Sequence, residues 1–321
     1  MKIKKIIFFG TPDFSVETLK AIINDGFDIP AVVTVPDKPA GRGLQLRESE
    51  VKQYAISHNI PVMQPDDLNS SEFQQQLKEL NPDVQIVVAF RKLPSEVFTI
   101  PPLGTINLHA SLLPDYRGAA PINWAIINGE KETGVTTFFI NDKIDEGKIL
   151  LQEKIEIVKT DTAGTLYDKL KYAGAALIVK TIHKISDNLI IPVAQSQYPN
   201  LYDKKAPKIQ KPDCRINWDK SGRDICNLIR GLSPYPGAFT ELISSNGEKH
   251  YIKIYTAEYI SGNPDKQAGS IITDGRTFLN VVTKDGLVSL LNVQLTGKVK
   301  MDVSAFLRGF QVNSEFKVSA S

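Results

Sequence analysis

The stretch IKKIIFFGTPDFSVETLKAIIN, residues 3–24, decides the fold of the first half of the chain. Its apolar run at residues 3–9 predicts a buried strand, GTPDF predicts a turn, and residues 15–24 have the apolar spacing of a helix. A second apolar strand is predicted directly afterwards, at residues 29–35. Strand, turn, helix and strand in this order are typical of an α/β fold with a parallel sheet.

The same alternation continues through the first half of the chain. Further helices are predicted at 51–59, 70–80, 120–128 and 166–184, and further strands at 84–89, 105–109 and 135–140. Strands that are apolar along both faces must be covered by helices on both sides of their sheet. The sequence therefore predicts a mostly parallel, Rossmann-like sheet domain over residues 1–188.

The pattern changes after residue 188. Residues 189–213 contain four prolines among polar residues, which predicts a linker. One helix is predicted at 221–231, followed by short alternating strands at 239–243, 251–259, 269–272, 278–283 and 288–294. Gly, Asn and Asp separate these strands, so residues 214–321 are expected to form a smaller, OB-like β-barrel domain.

Composition places the chain among globular proteins. It has 321 residues, of which 42% are hydrophobic and 23% charged. The two cysteines have no CxxC spacing and the histidines are scattered, so we expect neither a disulfide nor a metal site. The apolar run near the N-terminus is too short for a signal peptide, and no apolar segment approaches the ~20 residues that span a bilayer. We therefore expect a cytoplasmic monomer that does not bind a membrane.

The charge distribution is compatible with a polyanionic partner. From residue 205 onward there are 16 Lys and Arg against 11 Asp and Glu, whereas the preceding part has 22 against 25. The net charge is therefore −3 before residue 205 and +5 from residue 205 onward. A positively charged C-terminal half could contact nucleic acid. An ordinary solvated surface would account for so small an asymmetry equally well.

Two polar side chains interrupt the strand predicted at residues 105–109. Asn107 and His109 are two positions apart and therefore lie on one face, at the carboxyl end where parallel sheets bind ligands. An Asn amide can donate to a developing oxyanion, and a His can relay a proton near neutral pH. Together they indicate half of an acyl-transfer site. A polar pair satisfied inside the core is the alternative that this strand leaves open.

A second stretch, GVTTFFINDKIDEGKI at residues 134–149, places Asp145 in a loop after a buried strand. An acid in that position could orient an imidazole or order a water molecule. Asp-Glu-Gly is also common in ordinary β-turns, so a structural turn is the alternative here.

The combined pattern, NxHxSLLPxxRGxxP followed by GVT and DxG, resembles the folate-dependent formyltransferases. These enzymes move a formyl group from 10-formyltetrahydrofolate to an amine. The resemblance implies that Asn107, His109 and Asp145 form the catalytic triad. It also implies a tetrahydrofolate site that includes Ser111, Leu112, Leu113 and Pro114.

Other segments indicate which molecule accepts the formyl group, since members of the family use different acceptors. IIFFGTPDFS, VTVPDKPAGRG, KIQKPDCRINW, IRGLSPYPGAF and TGKVKMDVSAFLRG resemble the members that formylate methionyl initiator tRNA for translation initiation. Glycinamide ribonucleotide formyltransferases usually end near 200 residues. UDP-sugar formyltransferases are a second alternative, since they share the catalytic motifs and a barrel. A third is the formyl-folate hydrolase domain, which is normally fused to a dehydrogenase. A non-catalytic folate- or RNA-binding protein with the same fold is the contrasting class.

The resemblance also implies contacts with tRNA. The loop PAGRG, at residues 39–43, carries Arg42 between two glycines and could close over an RNA end. On composition alone, an ordinary exposed loop explains it too. Lys208 and Arg215 are further candidates for tRNA contacts, in the linker and the barrel domain. One departure from the family pattern is Arg91-Lys92, at the border of the expected pterin pocket, where many members have Tyr-Gly.

Overall fold

The computed structural model describes residues 2–40, 45–198, 204–263 and 265–319. The chain forms two compact units. The first comprises Met1–Pro121, Glu132–Glu156 and Tyr167–Lys205. The second comprises Ile122–Lys131, Ile157–Leu166 and Ala206–Ser321.

Strands and helices alternate up to residue 186. The strands are β1 (Ile6–Gly10), β2 (Val32–Val33), β3 (Lys38–Ala40), β4 (Gln45–Arg47), β5 (Val62–Met63), β6 (Val84–Val88), β7 (Thr105–His109), β8 (Glu132–Phe139) and β9 (Ile149–Glu156). The helices are α1 (Asp13–Asn24), α2 (Glu50–Ser57), α3 (Ser71–Leu80), α4 (Ser95–Phe98), α5 (Pro121–Ile127) and α6 (Ala163–Ser186).

The main sheet of the first unit has the strand order β5-β2-β1-β6-β7-β8-β9. Pairing is parallel from β5 across to β7 and antiparallel from β7 to β9. The chain builds outward from β1 in one direction and then from β6 in the other, so the order reverses between these strands. Ligands of such sheets bind beyond the carboxyl ends at this reversal, which here are Gly10 and Val88.

The sequence also encodes the helix starts around this sheet. Ser49 and Ser70 precede α2 and α3, and each side chain accepts a hydrogen bond from the backbone N–H three residues on. Helix α3 ends at Asn81, which has a left-handed backbone conformation (φ 46°). Buried Phe9, Val87 and Leu77 belong to one core cluster of this unit.

The second unit contains helices and an antiparallel sheet. Its elements after residue 206 are α7 (Gly222–Gly231), β10 (Ala238–Ile243), β11 (Lys249–Ser261), β12 (Ile271–Thr273), β13 (Leu279–Thr283), β14 (Gly286–Leu295), β15 (Met301–Asp302), α8 (Val303–Gly309) and β16 (Lys317–Val318). The strand order is β12-β13-β14-β11-β10-β16, and β15 pairs with β14. A bridge between Ser270 and Lys317 joins the two edges, so the sheet closes into a small barrel around buried Trp218.

The predicted fold, a mostly parallel sheet followed by a small β-barrel, is confirmed. The strand predicted at 105–109 has those bounds in the structure, and the other predicted elements are present with shifted ends. The elements that were not predicted are strand β9, the hairpin β3–β4, the short strands β5, β15 and β16, and the short helices α4 and α8. Strand β9 is buried only over its first two residues, and four of its last five residues are polar, so it lacks the apolar run that identifies a core strand. Within the described residues, no helix is long and apolar enough to cross a membrane.

Candidate active site

Strand β7 presents Asn107 and His109 on one face. Its neighbours β6 and β8 fix the backbone from both sides, with Asn107 opposite Val87 and Phe138 and His109 opposite Thr136. Alternate residues of a strand point to the same side. His109 is the last residue of β7, so both side chains lie at or near the carboxyl end of the sheet.

The imidazole of His109 is buried, with 8% of the residue exposed, and both ring nitrogens face polar groups. Nε2 lies 2.9 Å from the backbone carbonyl oxygen of Tyr116. A carbonyl can only accept, so Nε2 carries the proton of the neutral ring and Nδ1 is left with a lone pair. Nδ1 lies 3.8 Å from Oδ2 of Asp145.

Asp145 reaches His109 from the connection between β8 and β9. Its backbone is left-handed (φ 55°), and its Oδ2 accepts a 2.9 Å hydrogen bond from the N–H of Gly118. Two residues later, a side chain at Gly147 would place Cβ 1.6 Å from the carbonyl oxygen of Phe139. Only glycine, which has no Cβ, fits at this position, and this steric requirement explains the glycine of the DxG pattern. The structure thus brings Asp145 to His109.

The Asn107 amide is the third member of this group. The side chain is half-buried, and within the described residues no hydrogen bond ties it to another protein group. An amide that is not engaged by the protein can offer both N–H bonds to a ligand. Asn107 therefore supplies a donor beside the imidazole.

The SLLP turn after β7 is anchored by Thr136, a fully buried residue of β8. Its Oγ1 donates to the carbonyl of Ser111 (2.6 Å) and accepts from the N–H of Leu113 (3.1 Å) and from Nε2 of Gln152 (2.9 Å). The hydroxyl thus uses its one donor and two acceptor positions. Ser111 Oγ donates within the turn, to the carbonyl of Asp115 (2.7 Å).

Side chains of the turn divide between the core and the surface. Leu113 packs against Phe138 and Ile149 in a buried cluster, whereas Leu112 and Pro114 are partly exposed. The side chains of Ser111 and Leu113 therefore shape the turn, and those of Leu112 and Pro114 are the ones open to a ligand.

The GTPDF turn at the carboxyl end of β1 is held by helix α6. Tyr167 Oη accepts a 3.0 Å hydrogen bond from the N–H of Phe14 and donates to the carboxylate of Asp13. Lys171 Nζ lies 3.2 Å from the same carboxylate. Burial, reinforced by the Asp13 carboxylate, raises the pKa of Tyr167 well above its ordinary value. The turn is thus fixed by a neutral phenol.

Arg91 follows β6 by three residues and bonds to the segment that follows β5. Its guanidinium donates to the carbonyls of Pro65 and Asp66 and lies 5.7 Å from the ring of Phe90. A cavity of about 290 Å³ is lined by residues 66–69 and 91–94. The unusual residue at position 91 therefore makes contacts within the protein, along one wall of this cavity.

No group of three or more His, Cys, Asp or Glu suited to a metal ion occurs among the residues that the structure describes.

Comparison with known proteins places this geometry in a family. The chain matches the family described as formyl transferase over residues 4–182 and the formyl transferase C-terminal domain over residues 208–311. It is 45% identical over 317 residues to the methionyl-tRNA formyltransferase of Bacteroides fragilis, covering 98% of both chains. The chain belongs to the methionyl-tRNA formyltransferase family. The family's proteins from Azobacteroides pseudotrichonymphae and Flavobacterium johnsoniae are 50% and 47% identical, over 95% and 98% of each chain.

Several solved structures share the fold of this member of the methionyl-tRNA formyltransferase family, although their sequences are only distantly similar to it. An N-formyltransferase from Helicobacter canadensis, in complex with folinic acid and dTDP-3-aminofucose, superposes with a TM-score of 0.64 at 23% identity, over 90% of this chain and 98% of that one. HypX from Aquifex aeolicus, in complex with tetrahydrofolic acid, has a TM-score of 0.62 at 16% identity, over 96% of this chain and 47% of that one. These likenesses show the fold.

None of the residues predicted to contact tRNA belongs to the described part of the unit that carries the triad. Arg42 lies outside the described residues. Lys208 is exposed in the second unit. Arg215, in the same unit, donates to Glu241 (3.1 Å) and to Ser319 (2.9 Å), and only 34% of its side chain is exposed. Arg215 therefore has contacts within its own domain, and Lys208 is the more accessible cation.

Three supporting residues were missed by sequence reasoning. Thr136 stands inside the quoted GVT motif, so a signal for it was present. Gln152 and Tyr167 come from an edge strand and from a long helix, and their own surroundings in the sequence carry no mark of the site. Such residues are recognised only when tertiary contacts are known.

Proposed function

We propose that the protein transfers the formyl group of 10-formyltetrahydrofolate to the α-amine of methionyl initiator tRNA. The product, N-formylmethionyl-tRNA, serves translation initiation. The observation that carries this proposal is the convergence of Asn107, His109 and Asp145 at the carboxyl end of β7. Full-length relatives named methionyl-tRNA formyltransferase support the choice of acceptor.

The first step is attack of the methionyl nitrogen on the formyl carbon. A C–N bond forms, and the formyl oxygen takes the electron pair of its π bond and becomes an oxyanion. Asn107 donates to that oxygen; removing such a donor costs roughly 3 kcal/mol, or a hundredfold or more in rate. Collapse of the intermediate breaks the bond between the formyl carbon and N10 of tetrahydrofolate.

His109 moves the proton between the two nitrogens. Nδ1 has the lone pair, since Nε2 donates to Tyr116, so Nδ1 takes the proton from the attacking amine and returns it to N10. Asp145, 3.8 Å away, stabilises the imidazolium that forms in between. That distance is too long for a direct hydrogen bond, so the carboxylate acts by its charge or through a bridging donor such as water.

The two substrates occupy different parts of the chain in this proposal. The folate-derived donor lies against the turn of Ser111, Leu112, Leu113 and Pro114, with Leu112 and Pro114 offering side chains and the others their backbone. The tRNA is bound by the Arg42 loop and by the linker and barrel, including Lys208 and Arg215. Phosphate contacts of this kind make binding fall with rising salt.

The test is formyl transfer from 10-formyltetrahydrofolate, with charged initiator tRNA and a UDP-aminosugar as parallel acceptors. We expect product on the tRNA alone and its loss in His109→Ala. The matched control is His58→Ala, because His58 is exposed and its sequence neighbours Tyr54 and Ser57 are the only hydrogen-bond partners that its imidazole has among the described residues. Product on the sugar, or undiminished transfer by His109→Ala, would refute the acceptor or the site respectively.

Cytoplasmic location and a monomeric state stay predictions from the sequence, to be checked by fractionation and by light scattering.

A further inference from the structure

We infer that Gln195 is a positioning residue that holds the Asp145 loop in its catalytic place beside His109. The inference rests on the function proposed above, because it assumes that the distance between Asp145 and His109 affects the rate of formyl transfer. Gln195 lies in the segment predicted as a linker, far in sequence from Asp145 and from His109.

The path of the chain brings Gln195 to the loop. After α6, Val193 forms an antiparallel bridge with Ile149, the first residue of β9, through backbone hydrogen bonds of 2.8 and 2.9 Å. Gln195 follows two residues later and begins a short 3-10 turn, Gln195–Gln197. The segment is therefore fastened beside the residues that immediately precede β9, which include Asp145.

The amide of Gln195 is buried, with 4% of the residue exposed, and makes four hydrogen bonds. Nε2 donates to the carbonyls of Asp145 (2.7 Å) and Gly147 (2.9 Å). Oε1 accepts from Nε (3.0 Å) and Nη2 (2.6 Å) of Arg117. These bonds use every donor and acceptor position of a side-chain amide, with carbonyls on one side and a guanidinium on the other.

The same contacts link the two loops that meet at His109. Arg117 also lies 3.3 Å from the carboxylate of Glu146, so Gln195 and Arg117 together hold three consecutive residues, 145 to 147. The next residue, Gly118, donates to the Asp145 carboxylate. A side chain that fixes both loops also fixes the 3.8 Å separation between Asp145 and His109.

Two substitutions test this role. Gln195→Met keeps the size of the side chain and removes all four hydrogen bonds, whereas Gln195→Glu keeps an acceptor for Arg117 but has no donor for the carbonyls. We expect kcat for formyl transfer to fall roughly tenfold to a hundredfold in both, with each KM within about threefold, because substrate contacts are untouched while catalytic geometry is lost. Gln197→Met, in the same turn at an exposed position, is the matched control and should match the wild type.

The decisive measurement repeats Gln195→Met in an Asp145→Asn background, with kcat expressed per folded protein from a thermal unfolding curve. If Gln195 acts through Asp145, the second substitution costs little more, and the two effects are strongly non-additive. Additive losses, or a lower thermal midpoint with unchanged kcat, would overturn the inference and leave a purely structural role. Absence of formyl transfer by the wild type would instead refute the proposed function itself.

Discussion

Replacing Thr136 by Val should weaken both the fold of the first unit and its use of the formyl donor. Val has nearly the same shape, but it removes the hydroxyl that bonds Ser111, Leu113 and Gln152. Each bond contributes about 1 kcal/mol net, and the groups left behind are buried, so the free energy of unfolding should fall by roughly 3 kcal/mol. The turn also loses its anchors at both Ser111 and Leu113, so the KM for 10-formyltetrahydrofolate should rise roughly tenfold, about 1.4 kcal/mol.

The neighbouring residue provides the matched control. Thr137 is equally buried but points to the opposite face of β8, where its Oγ1 bonds Thr181 (2.9 Å) and the N–H of Leu151 (3.2 Å). Thr137→Val should therefore destabilise the protein comparably, by roughly 2 kcal/mol, without changing that KM.

Urea unfolding followed by circular dichroism measures the stability of both variants, and steady-state formyl transfer measures the KM values. The reasoning is wrong if both variants raise the KM equally, since general loosening would then explain the effect. It is also wrong if Thr136→Val leaves the KM unchanged while destabilising the protein, since the turn would then not shape the donor site.

Three further outcomes are expected. His109→Ala and Asp145→Asn should be strongly non-additive in kcat, because Asp145 acts through His109; additive losses in a double-mutant cycle would separate them. Gly147→Ala should displace the loop, since its Cβ would overlap a strand carbonyl, and should lower both kcat and the thermal midpoint; wild-type values of both would contradict the described packing. The raised pKa of Tyr167 contributes stability that is complete below about pH 10 and lost as pH rises through the folded-state pKa. Stability should therefore fall less steeply above that pH in Tyr167→Phe than in the wild type, and identical slopes in urea titrations would count against it.

Local pattern was sufficient for much of the fold. The strand at 105–109 and the end of α1 at Asn24 were predictable, because at each of these positions the apolar run and the turn residues beside it indicate the same boundary. Strand β9 was not, because an edge strand exposes most of its side chains and its pairing with β8 is decided by residues distant in sequence.

The candidate site, too, could be predicted from the sequence only in part. Asn107 and His109 could be placed on one face from their spacing alone, because a strand has a period of two. The resemblance to a family was needed to add Asp145, since nothing near it in sequence points to β7. Gln195 could not be found at all, because its four hydrogen bonds go to Arg117, Asp145 and Gly147, which lie in two segments far from it in the sequence.

Asp145 shows why local conformation and chemistry can select the same residue. Its left-handed backbone, φ 55°, costs most side chains about 1 kcal/mol or more, whereas Asp and Asn adopt it readily because they bond locally. The proposed mechanism requires a negative charge beside His109, which Asp has and Asn lacks. Asn therefore preserves the backbone and removes the charge alone, whereas Ala would remove the charge and add strain. The difference in kcat between Asp145 and its Asn variant accordingly reports the electrostatic contribution, without the contribution of the loop that carries it.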